Sequence, residues 1–240
     1  MNKIEYLKTF FMNYIQHLEP SSSSGKSYVS YPPYDIFPRD FMNFAKHELV
    51  NIDSIGENPV HIVNCISNLK RAVDCQLDIF LYHADLLEYT KRKNLKFDKK
   101  LNFIRDIGII ESSSLSRLNH LRNKMEHHYV IPRVSEIEVY YDLVLAFISV
   151  LESHIVMFLF HYALEIECNS DDFNFFKLDY VFETEPKIKF EIIYCDSQPN
   201  TIIEVIASEQ EEFAYYFKSL LMLSRLGLVR RDYIIEQLIG

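Results

Sequence analysis

A chain of 240 residues with 48% apolar and 14% aromatic side chains is not a disordered tail, and it is long enough for one large core or a core with a smaller appendage. Five glycines, with neither a GxGxxG nor a GxxxxGK[ST] string, argue against a glycine-cradled nucleotide site and a loop-rich barrel. The net charge of −9, taken as an average, disfavours a nucleic-acid partner.

The chain opens without an uninterrupted apolar run or a small-residue cleavage site, so residues 2–18 read as an amphipathic helix and not as a signal peptide. Pro20 ends it, and the run SSSSGKS reads as a flexible segment. A second helix is expected over 39–50, after the loop YPPYDIFP. Ile62, Ile66, Leu69, Val73, Leu77, Phe80, Ala84 and Leu87 then recur at steps of three and four, one stripe on a helix of about 28 residues. A shorter helix over 98–109 follows. A serine cluster caps the next, over 113–128, and Pro132 stops it. Ser135 and Glu138 form a capping box for a long helix to about residue 167. The apolar stretch over 143–164 carries Glu152, His154 and His161, so it reads as a core helix and not as a membrane span.

After Asp171 the composition shifts to Ile, Phe, Tyr and Val between turn residues. This predicts three short antiparallel strands at 177–183, 187–194 and 201–207, with turns at Glu185-Pro186 and 197–200. Helices over about 209–226 and 232–238 close the chain. The expected architecture is mainly α: a helical extension over 1–57, an up-and-down helical bundle over 58–167, and a small C-terminal α+β extension over 168–240.

Charge is segregated along this plan. Between Lys91 and Arg133 eleven Lys and Arg stand against four Asp and Glu, a local +7, which leaves −16 on the remainder. A basic block in an acidic chain is the footprint of a phosphate-binding face, although KRKNLKFDKK also reads as a solvated loop between helices. Cys65, Cys75, Cys168 and Cys195 form no CxxC pair and read as reduced cytoplasmic thiols. With no HExxH and no spaced His/Cys quartet, neither a metal nor another cofactor is expected.

On an ideal wheel for residues 113–128, at about 100° per residue from Leu118, the residues Leu115, Leu121 and Met125 define the buried face. Arg122 falls at about 40° and Tyr129 at about 20°, on the same side. A buried guanidinium needs a carboxylate, a subunit interface or an anionic ligand, and its planar fork matches phosphate oxygens. The plainer reading is an i,i+4 ion pair with Glu126, worth about 0.2–0.5 kcal/mol. His127 and His128 lie in the last turn, where the helix dipole favours the imidazolium by about 0.3–1 kcal/mol. They are either proton-transfer groups or C-terminal capping histidines.

Arg122-Asn-Lys-Met-Glu-His127-His-Tyr129 is similar to the R-x(4–6)-H motif of the HEPN superfamily. It also fits the R-x4-H-x-Y form of HEPN toxins that pair with a nucleotidyltransferase antitoxin. The helix order over 58–167 resembles theirs: a long first core helix, a short basic second one, the motif near the end of the third, then a long fourth. The resemblance implies a bundle that forms a homodimer, with the Arg and His of both copies lining one cleft. On it, Arg122 holds the scissile phosphate, and His127 serves attack by the ribose 2′-hydroxyl, leaving a 2′,3′-cyclic phosphate without a metal. Asn123 orients one of these groups, and Tyr129 matches the tyrosine that the nucleotidyltransferase modifies. Asp74 and Asp78 are candidates for a supporting acid, and Lys91, Arg92, Lys93, Lys96 and Lys124 for RNA contacts.

The implied function is a metal-independent endoribonuclease, cytoplasmic and off the membrane, acting as a toxin or an antiviral abortive-infection effector. The alternatives are a non-catalytic HEPN module that binds RNA or a protein, and a structural helical adaptor. On an ideal helix Arg122 and His127 point roughly 140° apart, so they share a site only if the helix unwinds or the cleft draws them from two chains. His128, at about −80°, replaces His127 if the register differs.

Overall fold

The computed structural model describes residues 2–25, 30–55, 58–111, 113–131, 133–168, 173, 175–194 and 199–240. In chain order, α1 (Lys3–Tyr14) runs through a 3-10 turn into β1 (Leu18–Ser24), followed by α2 (Pro38–Ile55) and α3 (Pro59–His83). Two short helices, α4 (Leu87–Arg92) and α5 (Phe97–Asp106), precede α6 (Ser113–His128) and α7 (Val134–Phe160). Then come β2 (Ala163–Cys168), β3 (Phe175–Val181), β4 (Lys187–Ile193), β5 (Thr201–Ile206), α8 (Gln210–Leu223) and α9 (Arg231–Ile239). The protein is mainly helical, with one small antiparallel sheet.

Helix α3 is set by its cap and then by its stripe. The Asn58 side chain accepts a hydrogen bond from the Val60 N–H, and Pro59 occupies the first turn, where a missing N–H costs nothing. Ile66, Leu69, Val73 and Leu77 are fully buried, and α2, α6 and α7 pack along the helix. It is shorter than expected. It stops at His83, Asp85 takes φ +56°, and Leu87 opens α4. The stripe reads as continuous because Ala84 and Leu87 bury on both sides of the break.

The sheet is a meander in the order β1-β2-β3-β4-β5, with two strands beyond the expected three. Strand β2 takes residues assigned above to the end of the long helix. Helix α7 stops at Phe160, and Leu164, Ile166 and Cys168 bury while Glu165 and Glu167 between them stay more open, the two-residue period of a strand. Strand β1 forms where a flexible segment was expected, pairing Leu18 with Cys168 and Ser24 with Ala163, with a register shift between Pro20 and Ser22. Serine has little strand preference, but an edge strand packs on one neighbour only, and an irregularity there accommodates proline. Gly25 follows directly, so close to the end of α7 that a Cβ would lie 2.1 Å from the Leu159 carbonyl oxygen.

Residues on both sides of the expected boundaries join one continuous core. Phe10 of α1 stacks edge-on against Phe176 and Phe190 of the sheet, each 5.1 Å away. Tyr180 of β3 donates to the Ala84 carbonyl at 2.6 Å, tying the sheet to the end of α3. One face of α7, with Val144, Phe147, Ile148 and Leu151, is fully buried, whereas Val139, Val156 and Phe160 are more than half exposed. By length and composition alone the run Ile137–Phe160 could cross a membrane. The cap of α7 is Arg133, without a side-chain cap bond, and Ser135 stands inside the helix, so the expected capping box is not its start. Pro132, Cys195, Ser112 of the serine cluster, residues 26–27 of the serine-glycine run and residues 197–198 of the expected turn lie outside the described residues.

Candidate functional site

Helix α6 buries Leu115, Leu118 and Met125 and half-buries Leu121, the face that the wheel predicts. That face seats it on α3 and α7 and thereby fixes the direction of every other side chain. Arg122 lies beside this face. Its Nη2 is 2.5 Å from Glu126 Oε1, and its Nη1 donates to Asn123 Oδ1 at 3.5 Å. The guanidinium therefore meets a carboxylate of its own helix, one turn on. The Arg122 side chain retains 32% exposure, so the pair is screened by solvent. It is worth about 0.2–0.5 kcal/mol, little enough for a phosphate to displace Glu126.

The helix stays regular to His128. Arg122 and His127 therefore point about 140° apart, and no unwinding brings them together within one chain. Lys124, His127 and His128 are exposed. Tyr129 does not continue the apolar side of the wheel. It takes φ +56°, leaves the helix and is 87% exposed. A left-handed residue closes many helices, but glycine usually takes that place, and a side chain there costs about 1–2 kcal/mol.

The candidate acids on α3 are each held by a lysine. Asp74 pairs with Lys70, and Asp78 takes Lys100 Nζ at 2.5 Å, which ties α5 to α3. Among the described residues neither forms an ion pair or hydrogen bond with Arg122 or His127. The basic candidates Lys91, Arg92, Lys93 and Lys96 are exposed along α4 and the turn into α5. Lys91 donates to Glu88 at 2.8 Å, which raises its pKa, and Arg92 donates to the Thr184 carbonyl at 3.5 Å. The Lys93 ammonium stands 6.0 Å over the Tyr89 ring.

A further polar cluster escaped the sequence reading. The largely buried His154 donates through Nδ1 to the Val150 carbonyl at 2.8 Å and accepts at Nε2 from Arg225, 2.5 Å away. Burial lowers its pKa, Arg225 lowers it further, and the Val150 carbonyl opposes both. A histidine inside an apolar run was the visible signal, but its partner lies 71 residues on. Among the described residues no three His, Cys, Asp or Glu side chains gather to hold a metal ion. Compared with protein-family models, with curated proteins and with solved structures, the chain has no match.

Proposed function

We propose that this protein is a metal-independent endoribonuclease of the HEPN type that acts on RNA as a homodimer. The observation that carries the reading is the end of α6: a half-buried arginine, Asn123 beside it, and two exposed histidines on the last turn of a basic segment. Each chain presents Arg122 and His127 about 140° apart, so the working cleft takes one from each copy.

In that cleft His127 accepts the proton of the ribose 2′-hydroxyl as the 2′-oxygen bonds to phosphorus. His128 takes this part in place of His127 only if the register of the cleft differs. The P–O5′ bond breaks, the leaving 5′-oxygen takes a proton from water, and the hydroxide so formed takes back the proton held by His127, which resets the imidazole. The products end in a 2′,3′-cyclic phosphate and a 5′-hydroxyl. Arg122, released from Glu126, neutralises the charge that builds on the non-bridging oxygens, and Asn123 orients it. Lys91, Arg92, Lys93, Lys96 and Lys124 hold flanking phosphates. Asp74 and Asp78, each held by a lysine, take no part in the step.

Tyr129, being 87% exposed, is open to a nucleotidyltransferase partner, and an anionic nucleotide two residues from His127 would repel the RNA backbone. Such an enzyme in the cytoplasm suits a toxin or an antiviral effector. The Glu126 carboxylate across Arg122 favours a second reading, a non-catalytic module that binds RNA or a protein.

The test is incubation with structured RNA in EDTA, beside the Arg122→Ala and His127→Ala variants. Cleavage that both substitutions abolish supports the nuclease. RNA bound but intact supports the second reading. Neither cleavage nor binding, from a protein that elutes as a monomer, removes both.

A further inference from the structure

A cleft lies between α4, α5 and α8, and none of its wall residues belongs to α6. Its volume is about 320 Å³, at the lower end of the range of about 300–1,000 Å³ that small-ligand sites occupy. Leu81, Leu86, Phe103, Phe213 and Ala214 supply an apolar wall. Tyr89 stands in that wall at 7% exposure, and its hydroxyl, buried behind the surface of the cleft, meets no hydrogen-bonding partner among the described residues. Nearly every buried hydroxyl in a folded protein is satisfied, so an orphan just behind the wall of an open cavity gains a partner when the side chain turns toward a group that enters the cavity.

The mouth is polar. Lys99 and Asn102 of α5 and Gln210 and Glu211 of α8 line it, all exposed. Two other charged wall residues are already engaged, Lys100 with Asp78 at 2.5 Å and Asp106 with Arg105 at 3.0 Å. Lys99 and Glu211 stand on different helices with opposite signs, so the mouth favours neither an anion nor a cation.

We propose that this cleft binds a small uncharged amphiphile. Its apolar body lies against Leu86, Phe103 and Phe213, and one hydrogen-bonding atom meets the Tyr89 hydroxyl once that side chain turns into the cleft. This goes beyond the nuclease reading and does not depend on it.

The uncharged fluorophore N-phenyl-1-naphthylamine, whose emission rises in apolar surroundings, is the probe. Saturable one-to-one binding to the full chain is expected. Ala214→Phe, which fills the cleft, should weaken it at least about tenfold, and Tyr89→Phe severalfold. Val139→Lys and Val156→Lys, on the exposed face of α7, should leave it unchanged. Should Ala214→Phe not fold, amide shifts of the parent chain read the same question. Probe-induced changes gathered in residues 81–106 and 207–214 support the site. Absence of saturable binding, shifts confined to α7, or affinity lost in the α7 variants and kept in Ala214→Phe overturns it. Full affinity in Tyr89→Phe overturns the part given to the hydroxyl.

Discussion

What Arg122 does is decided by its competitor. Glu126 holds the guanidinium with a solvent-screened i,i+4 pair, and any phosphate that binds there must first displace it. Glu126→Gln keeps the size and helix preference of the side chain and removes the charge. In the free protein the substitution should lower stability by only about 0.3 kcal/mol. Toward RNA it removes both the competitor and a repulsive charge, so affinity at low salt should rise about two- to fivefold. Fluorescence anisotropy with a labelled RNA measures this, and unchanged or weaker binding would mean that Arg122 does not contact phosphate. The 122/126 spacing could be read from the chain. Which partner wins could not, because it depends on how much solvent screens the pair and how near a second copy stands.

Elements differ in how far their own residues determine them. Helices α3 and α6 were legible because each buries one unbroken face of a single period, and neither needs a partner to declare that period. Strand β1 was not legible, because serines become a strand only when β2 offers an edge to pair with. Strand β2 had the right alternation, but the apolar run of α7 leads into it and hides the change from 3.6 to 2. The helix ends at His128 as expected, but Tyr129 leaves the apolar side of the wheel because it turns left-handed there, a backbone choice that side-chain periodicity does not report. The packing around β1 makes a test possible. In Gly25→Ala the added methyl meets the Leu159 carbonyl and Phe160 Cα, both backbone, so nothing soft can yield. Stability by urea unfolding should fall by about 2 kcal/mol, with faster amide exchange in β1 than in β3. A neutral substitution would mean that β1 is not seated against α7.

The His154–Arg225 contact joins α7 to the turn after α8 and makes a pH-dependent statement. The folded-state pKa lies below the ordinary 6.5, so the native protein binds fewer protons at this site than the unfolded chain. The contribution is present in full above 6.5 and is lost as pH falls through the window beneath it. His154→Gln keeps an acceptor for Arg225 without titrating. The variant should lose less stability than the parent between pH 7 and pH 5, and the difference cannot exceed about 1.4 kcal/mol per pH unit. Parallel urea titrations at the two pH values decide it, and equal losses would assign the parent's acid sensitivity to other groups.

Across the whole molecule, the proposed cleavage calls for a second copy, given the direction of α6. With the helix regular to His128, a site using Arg122 and His127 of one chain has its two groups on different sides of one helix. Arg122→Ala and His127→Ala are each expected to be inactive alone, since every dimer then lacks one member of both composite pairs. Mixed and re-equilibrated, the two chains form heterodimers in which the surviving arginine belongs to one copy and the surviving histidine to the other. Activity should reappear at roughly a quarter of the parent rate, because about half the dimers are mixed and each holds one intact pair of two. It should fall on dilution below the dimer dissociation constant and weaken with salt as phosphate contacts are screened. A parent enzyme that cleaves RNA while the mixture stays inactive would place both groups in one chain. The end of α6 would then have to unwind when RNA binds, which shift changes at Glu126 and His127 on titration with an uncleavable 2′-deoxy substrate would report.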